Sequence, residues 1–126
     1  MEPSAANEAL VRSFCEAFSR RDIDELLTYF AEGAVYHNIP FAPITGRDAI
    51  RAAFETFVPT SPEIEFVLLH TASSGSVVFT ERIDKLSLRG TKVALPVAGV
   101  FEVADGKITA WRDYFDVQQL TSAARR

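Results

Sequence analysis

Apolar residues recur at helical spacing in three stretches of the first half of the chain and alternate along four stretches of the second half. Residues 6–20 carry Leu10, Phe14, Ala17 and Phe18 on one helical stripe. Asp22 has the character of an N-cap, and Glu25 three residues later completes a capping box. That predicts a second, short helix burying Leu26, Leu27 and Phe30 and ending at Gly33. Residues 34–39 read as a short strand with Tyr36 and Asn38 on one face and Val35, His37 and Ile39 on the other, stopped by Pro40. A loop over 40–46 leads to a third helix over 47–57, where Ile50, Ala53, Phe54 and Phe57 form the stripe; Pro59 and Pro62 end it.

Strands are predicted over 64–71, 77–88, 93–103 and 107–115, with turns at Ser73-Ser74-Gly75-Ser76, Arg89-Gly90-Thr91-Lys92 and Asp105-Gly106, the last a strong hairpin signal. Residues 117–124 suit a short C-terminal helix or a tail. Helices followed by antiparallel strands, with one early short strand among them, give an α+β order. One solution is a strongly curved sheet wrapped round a pocket whose other end the helices close, a natural place for a small-molecule site. At 126 residues, with no repeat, linker or low-complexity stretch, the expectation is one domain over 1–126.

Alternation also organises the polar residues. Thr80, Arg82, Asp84 and Leu86 share one face of their strand, opposite Val77, Phe79, Glu81 and Ile83. Trp111, Asp113 and Phe115 share one face of the last strand, and Ala110, Arg112 and Tyr114 the other. Alternation alone leaves open whether the charged faces look inwards or into water. If inwards, the charges must be paired, since a lone buried charge is prohibitively costly. Two carboxylates flanking one guanidinium in an apolar cavity cannot comfortably both ionise, so Asp84 and Asp113 would share a proton across Arg82. The result is a general acid beside a general base, and Tyr36 and Asn38 can hold a water against the base by hydrogen bonds. Such a site suits attack of water on a strained, uncharged electrophile, and epoxide opening fits without a metal or a covalent intermediate.

Composition narrows the field. Nearly half the residues are apolar and a quarter charged, as in an ordinary soluble globular protein. The net charge of −4, with Arg20-Arg21 and Arg125-Arg126 as its only paired arginines, argues against nucleic-acid partners. The single cysteine, Cys15, excludes an internal disulfide and a Cys-based zinc cluster, and its place between Phe14 and Phe18 reads as a small buried hydrophobe. His37 and His70 lack metal-ligand spacing, so neither metal nor cofactor is expected. No basic-then-apolar leader and no apolar run of about 20 residues appears. A cytoplasmic protein that does not insert into membranes is the expectation.

The motifs Tyr36-x-Asn38-x-Pro40, Thr80-Glu81-Arg82-x-Asp84-x-Leu86, Gly99-Val100-Phe101 and Gly106-Lys107-Ile108-Thr109-x-Trp111-Arg112-Asp113-Tyr114-Phe115-Asp116 resemble the limonene-1,2-epoxide hydrolase family, as does Gly46-Arg47-Asp48-Ala49-Ile50. The resemblance implies a cone-shaped α+β fold, a curved and mostly antiparallel mixed sheet of the cystatin-like α+β barrel type. Ketosteroid isomerases and polyketide cyclases share that fold. It implies one-step push–pull epoxide hydrolysis to a vicinal diol, with Asp113 as water-activating base, Tyr36 and Asn38 as water holders, Asp84 as acid and Arg82 as bridge. It further implies an apolar substrate pocket lined by Leu86, Leu95, Val97 and Phe115, and a homodimer. His37, between the water holders, faces the other way and is read as non-catalytic. An isomerase or cyclase using one Asp base, and a non-catalytic ligand-binding module, are the competing readings.

Overall fold

The structure, a computed structural model, describes residues 1–124, with Ala124 described by its backbone alone; the Arg125-Arg126 pair lies outside the described residues. The first helix, α1 (Ala5–Ala17), is capped by Ser4, whose hydroxyl accepts from the Asn7 amide. Val11, Phe14, Cys15 and Ala17 form its buried stripe, and Leu10 is only half-buried. A 3₁₀ turn, Phe18–Arg20, continues α1 until Arg21 enters the left-handed region at φ 56°. Asp22 caps α2 (Ile23–Leu27), its carboxylate accepting from the Glu25 amide. Only half of the expected capping box forms, because the Glu25 carboxylate turns to Arg20 at 2.7 Å.

The second helix does not reach Gly33. It stops at Leu27, and the chain is already a strand at Phe30, where β1 (Phe30–Asn38) begins. The reason is tertiary. Phe30 pairs in parallel with Ile108, and its ring packs 5.3 Å from Phe14 and 6.2 Å from Trp111. Phe30 is buried as its apolar character demands, but from a strand. The register slips between Phe30 and Val35, and Gly33 lies in that irregular stretch. The loop expected over 40–46 contains a two-residue strand, β2 (Ile44–Thr45), antiparallel to β1. Helix α3 (Arg47–Phe57) has the predicted bounds and buries Ile50 and Phe54.

Four long strands follow: β3 (Glu65–Ser74), β4 (Val77–Leu88), β5 (Thr91–Ala104) and β6 (Lys107–Tyr114), then α4 (Val117–Ala124). Arg89-Gly90 and Asp105-Gly106 make the two tight hairpins around β5, all four residues with positive φ, the conformation that matches the strand twist. Among the described residues six strands form one open sheet in the order β2-β1-β6-β5-β4-β3, antiparallel except for the parallel β1–β6 pair. The sheet has free edges at β2 and β3 and does not close on itself. Among the described residues no helix is long and apolar enough to cross a membrane.

Helix α1 lies across β3 and β4, and α3 packs on β1 and α2. Between helices and sheet sits an aromatic core centred on Trp111, which is 1% exposed. Phe14 meets its ring edge-on at 5.1 Å, while Tyr36 and Phe101 stack on it at 4.2 and 5.5 Å. Because Tyr36 and Phe101 belong to the strands on either side of β6 and are register partners of Trp111, the indole is held from both flanks.

Candidate active site

The inward face of β4 is the charged one. Phe79, on the other face, is 46% exposed, whereas Thr80, Arg82 and Asp84 are buried. The two-residue turn at Arg89-Gly90 sets the register, placing Thr80 opposite Gly99, Arg82 opposite Val97 and Asp84 opposite Leu95. On the other side of β5, Gly99 is opposite Asp113, and β1 brings Asn38 beside Asp113. Residues distant in sequence therefore share one patch because directly paired positions point to the same face.

Arg82 is fully buried, and Asp84 and Asp113 are 5% and 4% exposed. Arg82 Nε and Nη2 donate to Asp84 Oδ1 and Oδ2 at 2.9 and 2.7 Å. Nη1 and Nη2 donate to Asp113 Oδ1 and Oδ2 at 3.1 and 2.7 Å. The remaining Nη1 hydrogen goes to Thr80 Oγ1 at 3.3 Å, and the Thr80 hydroxyl donates in turn to the Gly99 carbonyl at 3.4 Å. Every N–H of the guanidinium is engaged, and both carboxylates are gripped in the two-point geometry that suits arginine and not lysine. Its central carbon also lies 5.0 Å from the Phe66 ring centroid.

The site holds more negative than positive charge when both carboxylates are ionised. Burial raises the Asp84 carboxyl above its ordinary range; the hydrogen bonds and charge of Arg82 oppose that rise, and the Asp113 charge adds to it. Burial also works against the charge on Arg82, but Asp113 and Asp84 outweigh it and keep the guanidinium protonated. Asp113 accepts a third hydrogen bond that Asp84 lacks, from Trp111 Nε1 to Oδ1 at 2.7 Å. The two carboxyls thus differ in their surroundings: burial pushes Asp84 towards its acid form, and Asp113 accepts hydrogen bonds from three N–H groups.

Tyr36 and Asn38 face the same patch. The Asn38 amide nitrogen donates to the Tyr36 hydroxyl oxygen at 3.0 Å, leaving the phenolic hydrogen free to donate elsewhere. Burial foremost, with the Asp113 charge, raises the Tyr36 phenol, which stays a neutral donor. His37 points away, its Nε2 hydrogen-bonded to the Phe41 carbonyl at 2.9 Å.

The four residues expected to line an apolar pocket are placed unequally. Leu95 and Val97 are buried and stand directly opposite Asp84 and Arg82. Leu86, two residues beyond Asp84, is half-buried and borders a surface cleft of about 290 Å³ that also involves Val93, Lys85 and Lys92. Phe115 lies just past the end of β6, half-buried, with its ring 6.4 Å from Phe41.

Three contributors escaped the sequence reading as site residues. Trp111 supplies a donor, Thr80 an acceptor, and Gly99 supplies space. A Cβ at Gly99 would lie 2.5 Å from Arg82 Nη1, 2.7 Å from Thr80 Oγ1 and 2.8 Å from Asp113 Oδ1. Alternation already put Thr80 beside Arg82 and Trp111 beside Asp113, so that signal was present. Gly99 required the register across two hairpins.

Residues 5–126 match the limonene-1,2-epoxide hydrolase catalytic domain family. Over 110 residues, 87% of this chain and 73% of the relative, the sequence is 34% identical to epoxide hydrolase EphG of Mycobacterium tuberculosis. The solved structure of an M. tuberculosis LEH-like epoxide hydrolase superposes with a TM-score of 0.81 at 30% identity, covering 98% of this chain and 92% of that one. A SnoaL-like polyketide cyclase candidate from Shewanella denitrificans gives a TM-score of 0.86 at 16% identity, covering 97% and 98% of the two chains, which shows a shared cone fold alone. Fold, matched residues and relatives agree: this chain belongs to the limonene-1,2-epoxide hydrolase family.

Proposed function

We propose that the protein hydrolyses a small or medium-sized hydrophobic epoxide to a vicinal diol in one step, without a covalent intermediate. The observation that carries this reading is the pair of unlike carboxyls held by one fully engaged guanidinium. Asp113 takes a proton from water held by Tyr36 and Asn38. The water oxygen bonds to a ring carbon as the carbon–oxygen bond breaks, and the ring oxygen receives that electron pair and the Asp84 proton. Asp113 is then protonated and Asp84 ionised, and return of one proton through water restores the starting state. Asp84 works in the acid form that burial favours, beside a carboxylate that accepts the water proton, which is how one site performs acid and base chemistry together. Leu95 and Val97 supply the apolar wall next to the reacting groups, with Leu86 and Phe115 further out.

The deciding experiment is turnover of a panel of terpene, styrene and fatty epoxides in oxygen-18 water by the wild type, Asp84→Asn and Asp113→Asn. Label in one diol oxygen and loss of at least about 1,000-fold in each variant are expected, since neither half of the acid–base pair acts alone. Unimpaired turnover by Asp113→Asn would overturn the mechanism. A rearranged, unlabelled product would favour an isomerase or cyclase on the same fold.

A further inference from the structure

The two oxygens of Asp113 are not equivalent. Oδ1 accepts from Arg82 Nη1 at 3.1 Å and from Trp111 Nε1 at 2.7 Å, so both its in-plane lone-pair directions are taken. Among the described residues Oδ2 accepts only from Arg82 Nη2, at 2.7 Å, and retains one. That same Nη2 donates to Asp84 Oδ2, also at 2.7 Å. The open oxygen of the base and the second carboxyl therefore border one nitrogen.

The Trp111 bond is built into the fold. Trp111 and Asp113 are two apart on β6 and share a face, and a buried indole N–H requires an acceptor. The ring cannot turn away, because Tyr36 and Phe101 stack on it at 14° and 15° from parallel and Phe14 closes its edge at 89°. Gly99 keeps this side of the carboxylate accessible to both donors, since a Cβ there would lie 2.8 Å from Oδ1.

We propose that Trp111 is a positioning residue for the base: by occupying Oδ1 it makes Oδ2 the oxygen that takes the proton from water, and by its hydrogen bond it favours the ionised form of Asp113. The proposal rests on the hydrolase reading. The proton passes from water to Oδ2, the water oxygen bonds to the ring carbon, and the ring oxygen takes the proton from Asp84. A neutral donor suits this task, because another cation would hold the carboxylate too firmly for it to act as a base.

The groups facing Asp113 are Arg82 and Asp84 from β4, Tyr36 from β1, and Cys15 from α1, whose thiol senses the charges of Arg82, Asp84 and Asp113. Arg82 stays charged. Burial keeps Tyr36 and Cys15 neutral through the working range. Asp84 alone titrates alongside, on the opposite limb of a rate profile.

Trp111 is the chain's only tryptophan, so analogues supplied in its place alter this position alone. The test replaces it with β-(3-benzothienyl)alanine, which has sulfur where indole has N–H, and with 5-fluorotryptophan, which keeps the N–H. The sulfur analogue should lower kcat about tenfold or more with little change in KM, and move the acidic limb of kcat/KM up by about one pH unit, the scale of one hydrogen bond to a charged acceptor. The fluorinated protein should behave as wild type. A sulfur analogue with unaltered kcat and limb would reduce Trp111 to a core filler and overturn the proposal. Carbon-13 titration of the aspartate carboxyls provides a readout independent of turnover. If the wild type opened no epoxide, an upward shift of the Asp113 midpoint in the sulfur analogue would still support the hydrogen bond's role, and an unmoved midpoint would overturn it.

Discussion

Gly99 stands opposite Asp113 across the β5–β6 ladder, and the space its absent side chain leaves is filled by the ion-paired cluster. Thr80 is its partner on the other side, so this one position on β5 joins β4 to β6, the two strands that carry the ion-paired cluster. Its role is one of volume. Its φ is not in the left-handed region, so the missing Cβ, and not conformational freedom, is what the site uses.

Gly99→Ala should therefore be damaging although the backbone accepts alanine. A Cβ 2.5 Å from Arg82 Nη1 forces the guanidinium or its carboxylates to move. Overpacking of this kind costs roughly 1–3 kcal/mol, and displacement of a bidentate clamp by about 1 Å should lower turnover about 100-fold. Urea unfolding and epoxide turnover measure the two effects separately. Wild-type turnover in Gly99→Ala would show that the close approach is not needed.

Asp84 couples stability to pH in a stated direction. Its folded carboxyl is raised above the ordinary value, so between about pH 4 and the raised value the native state binds more protons than the unfolded chain. Its favourable contribution is full below about pH 4, the unfolded value, and is lost as pH rises through the folded one. The stability of wild type minus that of Asp84→Asn, from urea curves at a series of pH values, should therefore fall as pH increases. A difference that rises would mean that Arg82 pairing outweighs burial at Asp84. Catalysis should follow the same titration, with kcat/KM declining on the alkaline side as the acid form is lost.

Cys15 should be inert in the native protein. It is 2% exposed, and burial pushes its thiol up to about 12, with Arg82 opposing and the two aspartates adding to the rise. Iodoacetamide at neutral pH should label it only as fast as the chain opens, and labelling should accelerate with urea in step with unfolding. Rapid labelling of the folded protein, with activity retained, would show that the first helix admits reagent locally.

Much of this site was legible residue by residue. Alternation with a period of two placed Arg82 beside Asp84 and Trp111 beside Asp113, and the Asp105-Gly106 pair marked its hairpin. Those are short-range facts: strand geometry and positive φ at a tight turn depend on a few adjacent residues. The extent of α2 was not legible, because Phe30 suits a helical stripe and a strand equally. Its pairing with Ile108, nearly 80 residues away, decides between them.

Tertiary structure decided which way the charged face of β4 looks, since an ion-paired Arg-x-Asp strand is as regular in water as in a core. Packing of α1 over β3 and β4 made that face the inside. The Arg89-Gly90 turn sets the register that brings Gly99 to Thr80, and the parallel β1–β6 pair carries Asn38 to Asp113. The sequence by itself determined the residue types of the site and their spacing along each strand. Only the sheet could bring β1, β4, β5 and β6 together, because the energy of a buried ion pair depends on partners that are distant in sequence.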